Sequence, residues 1–164
     1  MKEFTVAQAF IIAIAAEKAA EEMYQGLEAK FANHEDIAAF WEQYAGDEVE
    51  HAEALEGMLA RLTPAQLSAP VDSPTVAALQ VLAGFSVEKA LKGVKNLEDA
   101  YQLVSEVESG ETNAIFEFLL MFEKDEHLRE FLRAQLDKHI TRLTDGTPAR
   151  YKGILSRKAI QALD

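Results

Sequence analysis

Glu48 and His51 stand three residues apart inside a repeating apolar stripe, in the run Trp41-Glu-Gln-Tyr-Ala-Gly-Asp-Glu-Val-Glu-His. At alternating steps of four and three, the stripe reads Ile37, Trp41, Tyr44, Glu48, His51, Leu55, Met58, Leu62. That spacing holds one face of an α-helix. A carboxylate and an imidazole on a core-facing stripe are metal-ligand types in a place where an unpaired charge is costly. A bound cation is the chemistry that explains them. The alternative is a buried hydrogen-bonded pair.

The same reading finds candidates elsewhere. One stripe runs Phe10, Ile14, Glu17, Glu21, Tyr24, Glu28, Phe31, with Glu17 near the middle of its helix. Another runs Val87, Leu91, Val94, Glu98, Tyr101, Ser105, with Glu98 central. The segment Phe122-Glu-Lys-Asp-Glu-His adds His127, with Glu123 one helical turn before it. The candidate ligands are therefore Glu17, Glu48, His51, Glu98, Glu123 and His127. Shifting the second helix by 76 positions superposes His51 on His127, and shifting the first by 81 superposes Glu17 on Glu98. Carboxylate and imidazole donors suit iron, with manganese and zinc as alternatives.

The elements that must position these residues are helices. Proline occurs only at 64, 70, 74 and 148, and the stretches between carry helical periodicity, so the chain is expected to be all-α. Helices are expected at about residues 3–31, 34–62, 86–108 and 112–144, with breaks at Asn33 and at Ser109-Gly110. A short helix starting at Ser73-Pro74 lies within a long connection over residues 63–85. About 23 extended residues reach roughly 75 Å, and a bundle helix of about 25 residues is only some 38 Å long. The connection can therefore return along the bundle and set the second and third helices parallel. The expected organisation is a four-helix bundle over residues 1–146, followed by a helical extension over 147–164.

Composition excludes other classes. The 164 residues are 49% hydrophobic and 27% charged, enough for one domain with a real core. A net charge of −12 argues against a nucleic-acid partner. With no cysteine there is no disulfide and no thiolate metal centre. No apolar run approaches the roughly 20 residues of a membrane span. Residues 10–16 are apolar enough for a leader's core, but Glu3 and the continuing periodicity favour the start of a mature helix and a cytoplasmic protein. The band Phe116, Phe118, Leu119, Leu120, Met121, Phe122 is apolar on nearly all sides, which predicts a homodimer unless the connection covers it.

On these residues the chain resembles the rubrerythrin-like branch of the ferritin-like superfamily, in which two helices each supply a Glu and two each supply Glu-x-x-His. The resemblance covers roughly residues 5–145. It implies two bound iron ions held by Glu17, Glu48, His51, Glu98 and His127. It also implies ferrous iron oxidation or peroxide reduction, with dioxygen or peroxide as oxidant and electrons arriving from another protein or from the iron itself. One position departs from the pattern: Lys124 stands three residues before His127, where a carboxylate is expected. Glu123 then substitutes, or one ion is lost, or the Lys124 ammonium takes the cation's place. The last case gives a metal-free bundle with a structural or interaction role.

Overall fold

Thr5 starts the first helix. Its side chain accepts from the Gln8 backbone N–H while the Gln8 side chain accepts from the Thr5 N–H, a reciprocal cap for α1 (Val6–Lys30). The computed structural model describes residues 4–108 and 111–145. A turn at residues 31–34 leads to α2 (Glu35–Arg61), whose first turn carries Glu35 and Asp36 at the positive end of its dipole. α1 and α2 form a long hairpin.

The connection that follows is built from three short helices, α3 (Pro64–Ser68), α4 (Ser73–Ala83) and α5 (Val87–Gly93). Thr63, Asp72 and Ser86 cap them in turn. At its start the connection is tied to the beginning of α1, where Val6 N donates to Ala69 O at 2.9 Å and Val71 N donates to Phe4 O at 3.0 Å. At its end Leu91 lies against Gly26, near the far end of α1. A Cβ on Gly26 would sit 2.4 Å from Leu91 Cδ1, so any larger residue would make the Leu91 side chain shift. The connection therefore travels the length of the bundle, and the expected crossover is present.

The remaining helices are α6 (Leu97–Glu108), α7 (Glu111–Leu120) and α8 (Glu126–Asp145). Here the register expected from the sequence is corrected. The helix expected over 86–108 is interrupted at residues 94–96, where Asn96 accepts from the Asp99 N–H and α6 begins. The helix expected over 112–144 is interrupted at residues 121–125, where Asp125 accepts from the N–H groups of His127 and Leu128 at 3.0 and 3.1 Å and starts α8. α8 then folds back along α7 and α6. Arg133 pairs with Glu117 at 3.1 Å, and His139 meets Glu108 at 3.0 Å. The expected extension over residues 147–164 lies outside the described residues.

The core is divided. One apolar cluster contains Phe10, Ile14, Leu55, Met58, Phe116, Leu119 and Leu132. The other contains Met23, Tyr24, Trp41, Tyr44, Tyr101, Val104 and Leu143. The gap falls between residues 14 and 20 on α1, 45 and 55 on α2, 104 and 115 across α6 and α7, and 136 and 143 on α8. Four chain segments thus leave the same level of the bundle free of apolar packing.

The apolar band on α7 is largely accounted for within the chain. Phe116, Leu119 and Leu120 are buried, Phe118 and Phe122 pack on the core, and α4 of the connection lies against α7. Met121 remains 68% exposed. The band by itself no longer requires a second copy of the chain. Among the described residues, no helix is long and apolar enough to cross a membrane.

Candidate metal centre

The level between the two apolar clusters is occupied by Glu17 of α1, Glu48 and His51 of α2, Glu108 of α6 and His139 of α8. Their relative exposures run from 2 to 8%. Two of the contributing helices reach this level at their midpoints. α6 reaches it at its last residue and α8 beyond its middle, because both begin later in the chain than the sequence suggests.

The five side chains form two trios that share one member. Glu17, Glu48 and His51 make the first, and Glu48, Glu108 and His139 the second. In each trio, one ligand-type atom per residue lies within 4.8 Å of the others. Glu48 divides itself between them. Its Oε2 is 3.0 Å from His51 Nδ1, and its Oε1 is 3.0 Å from His139 Nε2. His51 Nδ1 is also 3.5 Å from Glu17 Oε2, and His139 Nε2 is 3.0 Å from Glu108 Oε1.

Surrounding groups fix the ligand atoms. Asp47, the neighbour of Glu48, accepts from His139 Nδ1 at 3.1 Å and is itself held by Arg142. A carboxylate on Nδ1 keeps the proton there and turns Nε2 to the site, the usual support for a metal-binding histidine. The Tyr24 hydroxyl donates to Glu108. Tyr24 is set among Trp41 and Tyr44, with ring centroids 6.1 and 5.0 Å away. Phe116 closes the opposite side, edge-on to the His51 ring at 5.6 Å.

Protons hold the buried charges together. Burial, and then a hydrogen bond to Glu48, push the Glu17 carboxyl up to about 8. Burial also opposes ionisation of Glu48, but hydrogen bonds from Glu17, His139 and His51 outweigh it and hold Glu48 below the ordinary carboxylate range. Burial disfavours charge on both imidazoles, yet hydrogen bonds to Glu17 and Glu48 raise His51 to about 9. A hydrogen bond to Asp47 and the close carboxylates of Glu108 and Glu48 raise His139 to about 12. Three ionised carboxylates and two neutral imidazoles carry −3 in total, so three protons, or a divalent cation and one proton, are what such a layer needs.

The residues fit a metal better than they fit each other. His139 Nε2 is fully buried and 3.0 Å from two carboxylate oxygens, yet makes no hydrogen bond of normal geometry. With its proton removed, that nitrogen's lone pair converges with the two oxygens on one region, which a cation would satisfy. The donors are carboxylate oxygens and imidazole nitrogens with no thiolate, a set suited to iron or manganese. The cavity among them is only about 10 Å³, roughly the least that holds a single water.

The structure brings Glu17, Glu48 and His51 together and leaves the other three sequence candidates elsewhere. Glu98 is exposed on the first turn of α6, ten residues before Glu108, or about 15 Å along the helix. His127 is exposed on the first turn of α8, twelve residues before His139, or about 18 Å. Glu123 is buried but pairs with Arg61 beyond the far end of α8. Lys124 is exposed beside it, so its ammonium does not enter the cluster and the departure it marked falls outside the centre.

Glu108 and His139 are the residues that sequence reasoning missed, and a signal existed for both. Leu132, Leu136, His139 and Leu143 repeat at steps of four, three and four, the rhythm of Tyr44, Glu48, His51 and Leu55. Tyr101, Val104 and Glu108 continue one face in the same way. Placing the chain reversal at Ser109-Gly110 instead of residues 121–125 hid both patterns.

The sequence model of the Rubrerythrin family matches residues 10–135. No curated protein and no solved structure gives a match. The matched span includes Glu17, Glu48, His51 and Glu108 and stops four residues short of His139.

Proposed function

Since the chain belongs to the rubrerythrin family, we propose that it is a non-haem iron protein that holds two iron ions and oxidises ferrous iron or reduces peroxide. The observation that carries this reading is Glu48, whose two oxygens face two separate histidines across one dry layer. Glu17 and His51 would hold one ion, Glu108 and His139 the other, and Glu48 would serve both. Manganese and zinc satisfy the same donors. When bound, iron supplies electron transfer to dioxygen or peroxide.

The chain's own residues set the conditions for that chemistry. The two apolar clusters keep bulk water away, which strengthens every charge interaction in the layer. A cavity of about one water's size excludes large substrates, which favours dioxygen or peroxide. Asp47 and Arg142 hold the His139 tautomer, and Tyr24 keeps Glu108 facing inward. Among the described residues there is no second cofactor-type cluster, so reducing equivalents would come from ferrous iron or from a partner protein. A cytoplasmic location and a homodimer remain part of the proposal.

The test is anaerobic loading with ferrous iron followed by addition of dioxygen or hydrogen peroxide. Close to two irons per chain are expected, with loss of chelatable ferrous iron faster than in a protein-free control. Iron that never binds, or that oxidises at the control rate, refutes the activity.

Metal uptake is also expected to release protons. Ligation needs neutral imidazoles and ionised carboxylates. Below about pH 8, Glu17, His51 and His139 all hold protons in the metal-free layer. Affinity should therefore rise with pH, and the number of protons released should fall as pH passes about 8 and then about 9. The metal-free protein should move the other way. Its raised Glu17 and His51 stabilise the fold at low pH, and that contribution is lost as pH rises through their folded values. Calorimetric titration in buffers of different ionisation heat measures the protons. Uptake without proton release would contradict the assignment.

A further inference from the structure

α2 and α8 each place a histidine in the polar layer, and each places another residue one turn before it. On α2 that residue is Glu48, three before His51. On α8 it is Leu136, three before His139. Leu136 is buried and lines the same small cavity as the five polar residues. Where one helix supplies a carboxylate, its counterpart supplies an isobutyl group that can neither ligate nor carry charge.

The charge balance is therefore short by one. Glu17, Glu48 and Glu108 contribute at most −3, and the nearby Asp47 and Arg142 offset each other. One divalent cation leaves the layer at −1, which a single retained proton neutralises. Two divalent cations leave it at +1 in a buried level between two apolar clusters, where an uncompensated charge is strongly disfavoured. Among the described residues no lysine or arginine lines the cavity, so an anion there would be held by the cations.

Resting on the two-ion reading above, we propose that the site fills in two unequal steps and that the second divalent ion enters together with a small monovalent anion at the edge lined by Leu136. The anion replaces the charge and the donor oxygen that α8 does not provide. A cavity that now holds at most about one water limits the class to the smallest anions, such as a one-carbon carboxylate, and the Leu136 side chain must shift to admit it.

The experiment is an anaerobic titration of the intact protein with Co²⁺, followed by calorimetry and visible absorption, with and without formate. Wild type is expected to take one ion tightly and a second at least about tenfold more weakly. Formate is expected to strengthen the second step by about 10–100-fold, the range that groups supporting a metal site contribute, and to leave the first step unchanged. Leu136→Glu is expected to take two ions without formate and to lose the formate response, while Leu136→Met behaves as wild type. Two wild-type steps of equal affinity, indifferent to formate, overturn the inference while leaving the two-ion reading intact. A formate response that persists in folded Leu136→Glu does the same. Should Leu136→Glu fail to fold, the formate dependence of the wild-type second step decides alone. Failure of wild type to bind any Co²⁺ overturns the two-ion reading and this inference with it.

Discussion

Glu48→Ala is expected to remove both metal ions at once, with affinity falling more than about 100-fold and no measurable metal per chain after gel filtration. Two causes add. The substitution deletes the one carboxylate shared by the two trios. It also leaves His51 and His139 each without a partner that lies 3.0 Å away. A buried group stripped of its charged partner is penalised beyond the lost contact itself. His139→Ala should behave differently, emptying only the half that contains Glu108. Glu98→Ala and Lys124→Glu should change metal content by nothing measurable, since Glu98 is exposed on the first turn of α6 and Lys124 is exposed in the break before α8, both far from the layer. Elemental analysis of the four variants checks the assignment together. Metal retained in Glu48→Ala, or lost in Glu98→Ala, would refute it.

The second large effect lies outside the polar layer. Trp41→Ala is expected to destabilise the metal-free protein by about 3–5 kcal/mol, the usual range for deleting a fully buried large aromatic. In a domain of this size that corresponds to a fall of roughly 6–20 °C in Tm. Trp41 is completely buried and packs within 4.9 to 6.2 Å of Phe40, Tyr101, Tyr24 and Tyr44, measured between ring centroids. Trp41→Phe should lose far less. The indole N–H has no hydrogen-bond partner among the described residues, so removing it frees no buried acceptor. Denaturant unfolding of metal-free samples gives the comparison without linkage to metal binding. Trp41→Ala is also expected to weaken metal binding, because Tyr24 leans on Trp41 and its hydroxyl holds Glu108. Equal stability of the Ala and Phe variants would show that this aromatic cluster is not what braces the layer.

The two expectations separate the roles of adjacent levels of one bundle. Removing Glu48 should abolish binding while leaving a folded protein, since the polar layer contributes little apolar burial. Removing Trp41 should first reduce stability and then, through Tyr24, loosen one ligand. A folded, metal-free Glu48 variant and a partly unfolded Trp41 variant would place function and stability in neighbouring layers of the same four helices.

What the sequence determined by itself is local and periodic. Proline placement and the 3.6-residue rhythm specify helices, and residues 63–85, with three of the four prolines, specify the crossover. Glu17, Glu48 and His51 are legible because α1 and α2 are long, uninterrupted and joined by a short turn, so their midpoints meet without further information. The second half of the bundle is decided only by tertiary structure. Val94-Lys95-Asn96 and Glu123-Lys124-Asp125 end and restart helices there, and after residues 121–125 the chain runs back along α7. A shift of ten to twelve residues slides a helix by roughly 15–18 Å, and that moves Glu98 and His127 into solvent and Glu108 and His139 into the core. Apolar residues recur at helical spacing in both registers. Only the packing of α6 and α8 against an already formed α1–α2 hairpin, where burying the wrong carboxylate would go unpaid by a partner, selects between them.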